Sequence, residues 1–255
     1  MHTSPCRANG CATPPLPKYP SYCLRAASFG VLRVLNDDLV QGLRGFGRHP
    51  HRDMEIITYI VEGSLTHADS TGTRETLGRG SVQFMTAGSG IYHSEHNEQD
   101  SPLRFCQIWI TPRVTGLTPC YGGYDGTPAA AQAARHNALA HLVGDANNNA
   151  HAQAPVRIQQ DCSLYVAELE AGQTVSLALG PKRQAYLVCL EGSVSASDSA
   201  ASDKSTLRRH DAVEVRGEGC LQISASDSGA AHVLLLEMAA GGGGRGPGKW
   251  PLHMG

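Results

Sequence analysis

The stretch "GRHPHRDMEIITYIVEGSL", residues 47–65, carries two histidines one residue apart, a carboxylate, an apolar run and a closing Glu-Gly-Ser. Side chains at i and i+2 of a β-strand point to the same face, so His49 and His51 share a face while Pro50 is turned away. Taken alone, such a pair is better explained by two solvated side chains than by a metal grip. A second stretch reverses that balance. "GIYHSEHNE", residues 90–98, offers His93 and Glu95 at the same spacing. Two neighbouring strands of one barrel, each turning two ligands inward, gather three imidazoles and one carboxylate around a point. That set suits a single borderline divalent ion and leaves coordination positions for a substrate oxygen or dioxygen. Glu55 is expected on the same strand as His51 and in phase with it, as a fifth ligand or a partner holding an imidazole. His67, past a turn in "THADS", and His96, out of phase with His93 and Glu95, are expected to face outward.

Outside these stretches the chain reads as strands. "EIITYIVEG", "SVQFMTAG" and "RFCQIWITP" form one set, and "SLYVAELEAG", "QTVSLALG", "AYLVCLEGSV", "DAVEVRGEG", "LQISASDSG" and "HVLLLEMA" a second. Short β-branched or aromatic runs separated by Gly, Pro and Ser predict a sandwich or barrel. The one predicted helix lies between the sets, in "PAAAQAARHNALAHLV", followed by the loop "GDANNNAHAQAP". The expected organisation is a variable segment 1–30, a metal-binding barrel 31–128, a connection 129–155, a second barrel 156–240 and a Gly-rich tail 241–255.

The two sets resemble each other. "YIVEGSL" at 59–65 returns as "LVCLEGSV" at 187–194, and "LGRGSVQF" is echoed by "LRRHDAVEV". Superposing the Glu-Gly-Ser landmarks puts Ala178 and Gly180 opposite His49 and His51, and Gln184 opposite Glu55. Around Gln222–Ser224, where His93 and Glu95 would recur, there is neither histidine nor carboxylate. Histidines that merely suited the fold would be retained in part, so one metal site is expected, in the first barrel.

Bulk properties narrow the function. A formal charge of −2 gives no basic field for capturing nucleic acid. No apolar run approaches the roughly 20 residues that span a bilayer, so a soluble protein without membrane contact is expected. Eight scattered cysteines without a CxxC pair read as reduced and structural, in an intracellular, cytoplasmic setting. Cys6 and Cys11 lack the partners to complete a metal site. Residues 1–36 hold Arg and Lys but no Asp or Glu, a faint likeness to an organelle transit segment that leaves an organelle or the nucleus open.

"HPHRDMEIITYIVEGSLTHADS", "FMTAGSGIYHSE" and "FCQIWITP", with "VLRVLNDD" and "TPCYGGYD", closely resemble the pirin family, nearest to bacterial pirin-like quercetin 2,3-dioxygenases. The likeness runs over roughly residues 31–125; the second half matches in pattern. It implies an all-β bicupin, two jelly-roll barrels face to face with few short helices, and a metal in the first. The family's ligand motif falls on His49, His51, His93 and Glu95. Family members carry iron(II), the expected ion, or another divalent metal such as Zn, Cu, Ni, Mn, Co or Cd. The aromatic stretch that usually precedes "LRVLNDD" is shortened here.

The activity implied is oxygen-dependent opening of a flavonol ring with release of carbon monoxide. In that scheme a metal acidifies the flavonol hydroxyl and Glu95, the catalytic residue, takes its proton as general base. A carboxylate beside a cation is held ionised, which suits a base. Phe46, Arg52, Phe84, Met85 and Ile91, with Glu55, are expected around the ligands as pocket or supporting residues. The competing expectation is a non-catalytic metal-binding co-regulator of transcription factors or redox sensor, acting through a protein partner. A metal-free storage cupin is disfavoured by the four-ligand set.

Overall fold

The computed structural model describes residues 28–198 and 204–241, together with a two-residue strand β1 (Cys6–Arg7). The transit-like segment, the Cys6 and Cys11 pair and the Gly-rich tail lie largely outside the described residues. The remainder is two barrels of one topology. In the first, a five-stranded sheet runs in the order β10 (Cys120–Tyr124), β7 (Val82–Thr86), β4 (Glu55–Glu62), β9 (Leu103–Ile110), β2 (Leu32–Val40). It is closed by a four-stranded sheet in the order β3 (Gly45–His51), β8 (Ile91–His96), β5 (Ser64–Asp69), β6 (Arg74–Gly78).

The second barrel repeats the plan. Its sheet runs β18 (Asp211–Arg216), β15 (Arg183–Glu191), β20 (Ala231–Ala239), β13 (Cys162–Leu169), flanked on one side by β1 and on the other by β11 (Ala140–Asp145) and β12 (Val156–Ile158). Its closing sheet is β14 (Thr174–Leu179), β19 (Gly219–Ala225), β16 (Ser193–Asp198), β17 (Lys204–Arg208). The repeated Glu-Gly-Ser has a structural cause. Gly63 and Gly192 both sit in the left-handed region, at φ 77° and 73°. A Cβ on either would lie within 2.7 Å of a backbone carbonyl, of Pro102 or of Ala230, just before the next strand of the sheet. Each turn is preceded by a bulge, between Ile60 and Glu62 and between Cys189 and Glu191.

The two large sheets stack face to face. Strand β4 buries Ile57, Tyr59 and Val61 between the barrels, against Leu164, Val166, Leu234 and Leu236 of the second sheet. Its alternate residues turn into the first barrel. That double burial explains why "EIITYIVE" is apolar on both faces. A polar bridge also crosses the interface: Arg104, held by Asp37 of its own sheet at 2.6 and 2.8 Å, donates to the Leu190 carbonyl of the second barrel at 2.9 Å. Cys106, Cys162 and Cys189 are buried and unbridged.

Two expectations are corrected here. The predicted helix is only α1 (Ala129–Arg135); it stops at His136, in an extended conformation, and Asn137 takes φ 51°. The following "ALAHLV" becomes strand β11, paired with β13, because the sheet edge there buries Leu142 and Val143 in the interbarrel core. Glu55 is not on the same strand as His51: a turn at Arg52–Met54, with Asp53 at φ 48°, separates β3 from β4. Among the described residues no helix is long and apolar enough to cross a membrane.

Candidate metal centre

Strands β3 and β8 pair so that His49 lies directly opposite His93 and His51 opposite Ile91. The three imidazoles converge at the mouth of the first barrel, with ring centroids 4.4 to 4.8 Å apart. His49 and His51 are half-buried and His93 is buried. His49 donates from Nδ1 to the Gly47 carbonyl at 2.8 Å, which leaves its Nε2 lone pair facing His93 Nε2 at 3.0 Å. Two nitrogens bound to one ion at about 2.1 Å and at right angles are about 3 Å apart. The donor geometry and the neutral-imidazole chemistry therefore fit a divalent ion. Burial, then the neighbouring His49, holds the His51 imidazole down at about 4. Burial, then His51 and His49, holds His93 at about 2. Both rings are unprotonated at neutral pH, as a ligand must be.

Glu95 sits one step along β8, facing the same interior. It groups with His93 and His67, not with His49 and His51. Gln83 donates to its carboxylate at 2.6 Å, Gln107 at 2.7 Å and Thr58 at 3.2 Å. Burial pushes its pKa up to about 7, against the hydrogen bonds from Thr58, Gln107 and Gln83 that favour the ionised form.

The other expected residues divide. Met85 and Ile91 form an apolar floor with Ile56 and Ala87, against which Trp109 and Tyr121 pack. Phe46 is 44% exposed at the rim, edge-on to Phe105. Phe84 packs into the interbarrel core instead, in the space left by Gly122, where a Cβ would come within 2.5 Å of its ring. Arg52 projects to solvent with a 68% exposed side chain. Glu55 holds no imidazole. Its two oxygens accept from the backbone N–H groups of Gln159 and Gln160, at 2.6 and 3.0 Å, and so tie the first barrel to the entry of the second.

His67 overturns the outward assignment. It is 1% exposed, its ring 5.4 Å from that of His93 and stacked on Tyr121 at 4.3 Å. The turn before β5 shifts the phase, and pairing with β8 sets His67 opposite Glu95. His96 is half-buried. Residues not anticipated are Trp109, edge-on to His51 at 4.9 Å, and the Thr58, Gln83 and Gln107 set around Glu95. Their signal was present: each is a polar or aromatic residue in phase with inward positions of an otherwise apolar strand.

In the second barrel, Ala178 pairs with Cys220 where His49 pairs with His93. A cleft of about 400 Å³ there is lined by Ala178, Tyr165, Arg183, Asp161 and Glu237 among others. Among the described residues, both groups able to hold a metal ion lie in the first barrel.

Comparison with known proteins agrees with this architecture. A family model described as Pirin matches residues 22–110, and one described as the quercetinase C-terminal cupin domain matches 148–238. The quercetin 2,3-dioxygenase of Escherichia coli K12 is 34% identical over 216 residues, 82% of this chain and 83% of its own. The chain belongs to the pirin family. Another relative, the pirin-like protein of Caulobacter vibrioides, is 34% identical over 212 residues, 83% of this chain and 85% of its own. Among solved pirins, YhhW of E. coli in complex with nickel(II) superposes with a TM-score of 0.70 at 28% identity, covering 88% of this chain and 89% of that one.

Proposed function

We propose that this pirin is a metal-dependent dioxygenase of the quercetinase type, which opens a flavonol ring with dioxygen and releases carbon monoxide. The observation that carries the proposal is the convergence of His49, His51 and His93 at the barrel mouth, above a buried carboxylate and beside an apolar floor. The similarity to the E. coli quercetin 2,3-dioxygenase supports it. An ion held by the three imidazoles would supply Lewis acidity and redox chemistry towards oxygen, with iron(II) the ion proposed; Glu95, which groups with His93 and not with His49 or His51, would have to move towards the ion to be the fourth ligand.

The chain's own residues do the rest. Gly47 fixes the tautomer of His49, and Trp109 packs edge-on against His51. The partly exposed Trp109 and Phe46 are the aromatic side chains that a flat ligand would meet, backed by the buried Met85 and Ile91. The Glu95 carboxylate is the proton acceptor for the substrate hydroxyl. Gln83 and Gln107 hold both of its oxygens in place, which orients it at low entropic cost.

The test is metal analysis of the purified protein combined with quercetin incubations in air and under anaerobic conditions. Oxygen-dependent loss of the flavonol absorbance, abolished in His51→Ala, is expected. Stoichiometric metal with no turnover of any flavonol would overturn the enzyme in favour of a metal-binding co-regulator. Failure to bind metal after reconstitution would overturn both.

A further inference from the structure

We infer that Asp69 and His67 form a buried relay that orients His93 from behind, a positioning role resting on the reading of His93 as a metal ligand. The observation is a pair of orphaned nitrogens. His93 Nδ1 and His67 Nδ1 are both buried, and neither has a hydrogen-bond partner. They belong to neighbouring rings on paired strands, with centroids 5.4 Å apart. Unpartnered buried polar atoms are costly, so two in one place call for an explanation.

Tautomer bookkeeping supplies it. The Asp69 carboxylate is fixed by its turn: Oδ1 accepts from Thr71 N at 2.8 Å and Thr73 N at 3.3 Å. Its other oxygen lies 2.9 Å from His67 Nε2. An ionised carboxylate only accepts, so the proton of neutral His67 sits on Nε2 and its Nδ1 is a bare acceptor. His93 Nε2 faces His49 Nε2 at 3.0 Å, where the two lone pairs meet on an ion. With Nε2 so used, the His93 proton resides on Nδ1 and makes that atom a donor. The two orphans thus carry complementary roles, a donor on His93 Nδ1 and an acceptor on His67 Nδ1, and the relay requires these neighbouring rings to close into a hydrogen bond when the ion is bound. Metal-bound imidazoles generally donate their second N–H to such a partner, which fixes ring orientation. Tyr121 holds the arrangement in place. Its ring stacks on His67 at an interplanar angle of 21°, and its hydroxyl donates to Glu75 at 2.8 Å.

Asp69→Asn is the decisive variant because it is isosteric. It keeps an oxygen for the Thr71 and Thr73 amides, yet presents an NH2 to His67 Nε2. That forces the His67 proton onto Nδ1, against the His93 N–H. The expected result is a 10- to 100-fold weaker affinity for zinc(II), measured by chelator competition. Thermal unfolding of the metal-free protein should be unchanged. In the zinc complex, proton NMR should show a slowly exchanging His93 Nδ1–H resonance that Asp69→Asn abolishes. His67→Phe, which retains the stack on Tyr121, should lose affinity to the same degree, and His67→Gln, which restores an acceptor, should regain part of it. Parent-like affinity and an intact resonance in Asp69→Asn would overturn the relay. If His93→Ala binds zinc as tightly as the parent, the ligand assignment itself falls, and the relay with it.

Discussion

The two barrels share strand order, bulge position and the left-handed glycine after the bulge, yet their interiors differ. In the second, seventeen buried apolar residues form one continuous cluster. In the first, the described apolar residues of the interior split into a cluster of six and a cluster of four. What separates them is the polar centre of Thr58, His67, Gln83, His93 and Glu95, all at most 4% exposed. A close-packed interior does not exchange apolar volume for polar side chains without loss of stabilisation. The first barrel has made that exchange and the second has not. The two copies of the fold are thus filled differently: one holds a buried polar centre beside the candidate ligands, while its twin provides a large apolar core and a face on which the first barrel rests.

The largest effect is expected from His93→Ala, which should remove bound metal and lower any flavonol turnover by more than about 10²-fold, while Ala178→Leu in the second barrel leaves metal content unchanged. Metal analysis by mass spectrometry checks both. Next is Leu235→Ala in the continuous cluster, fully buried in the parent and expected to cost roughly 3 kcal/mol in urea unfolding without changing metal stoichiometry. Glu55→Ala should cost about 2 kcal/mol in the same measurement, because it strands the buried amide of Gln160 and the partly buried amide of Gln159 between the barrels.

The smallest expected effect is electrostatic. The hydrogen bond from His232, reinforced by Arg79, holds the Glu191 carboxyl down at about 2, against its desolvation. A carboxyl with a depressed folded pKa adds stability above its ordinary value, near 4.5, and loses it as pH falls towards 2. Thermal melts between those limits should show an acid-side loss that is shallower in Glu191→Gln. An unchanged slope would remove this bridge from the forces that join the barrels.

Much of this was legible in the residues. The x-spaced pairs His49/His51 and His93/Glu95 marked the centre, because a strand's period of two fixes facing directly. The blank at Ala178 pointed to a single site in the first barrel; in the structure Ala178 pairs with Cys220 where His49 pairs with His93. His67 was misplaced for a physical reason: its direction depends on the glycine turn and bulge that precede β5, which shift the phase that simple alternation assumes. Glu55 was misread for the same kind of reason, since the turn at Asp53 starts a new strand. Phe84 was assigned to the pocket because both faces of β7 are buried, and hydrophobicity does not say which core a residue enters.

Local periodicity and a repeated turn were enough to read the two-barrel plan and the shared facing of the histidine pair, and the motifs around them carried the family likeness. What stands behind the three imidazoles follows from how the strands close into a barrel. The Glu95 cradle draws on β4, β7 and β9, and the His93–His67–Asp69 alignment on β5 and β8. Pairings between segments far apart in the chain are set by the closure of the barrel, which local sequence does not encode.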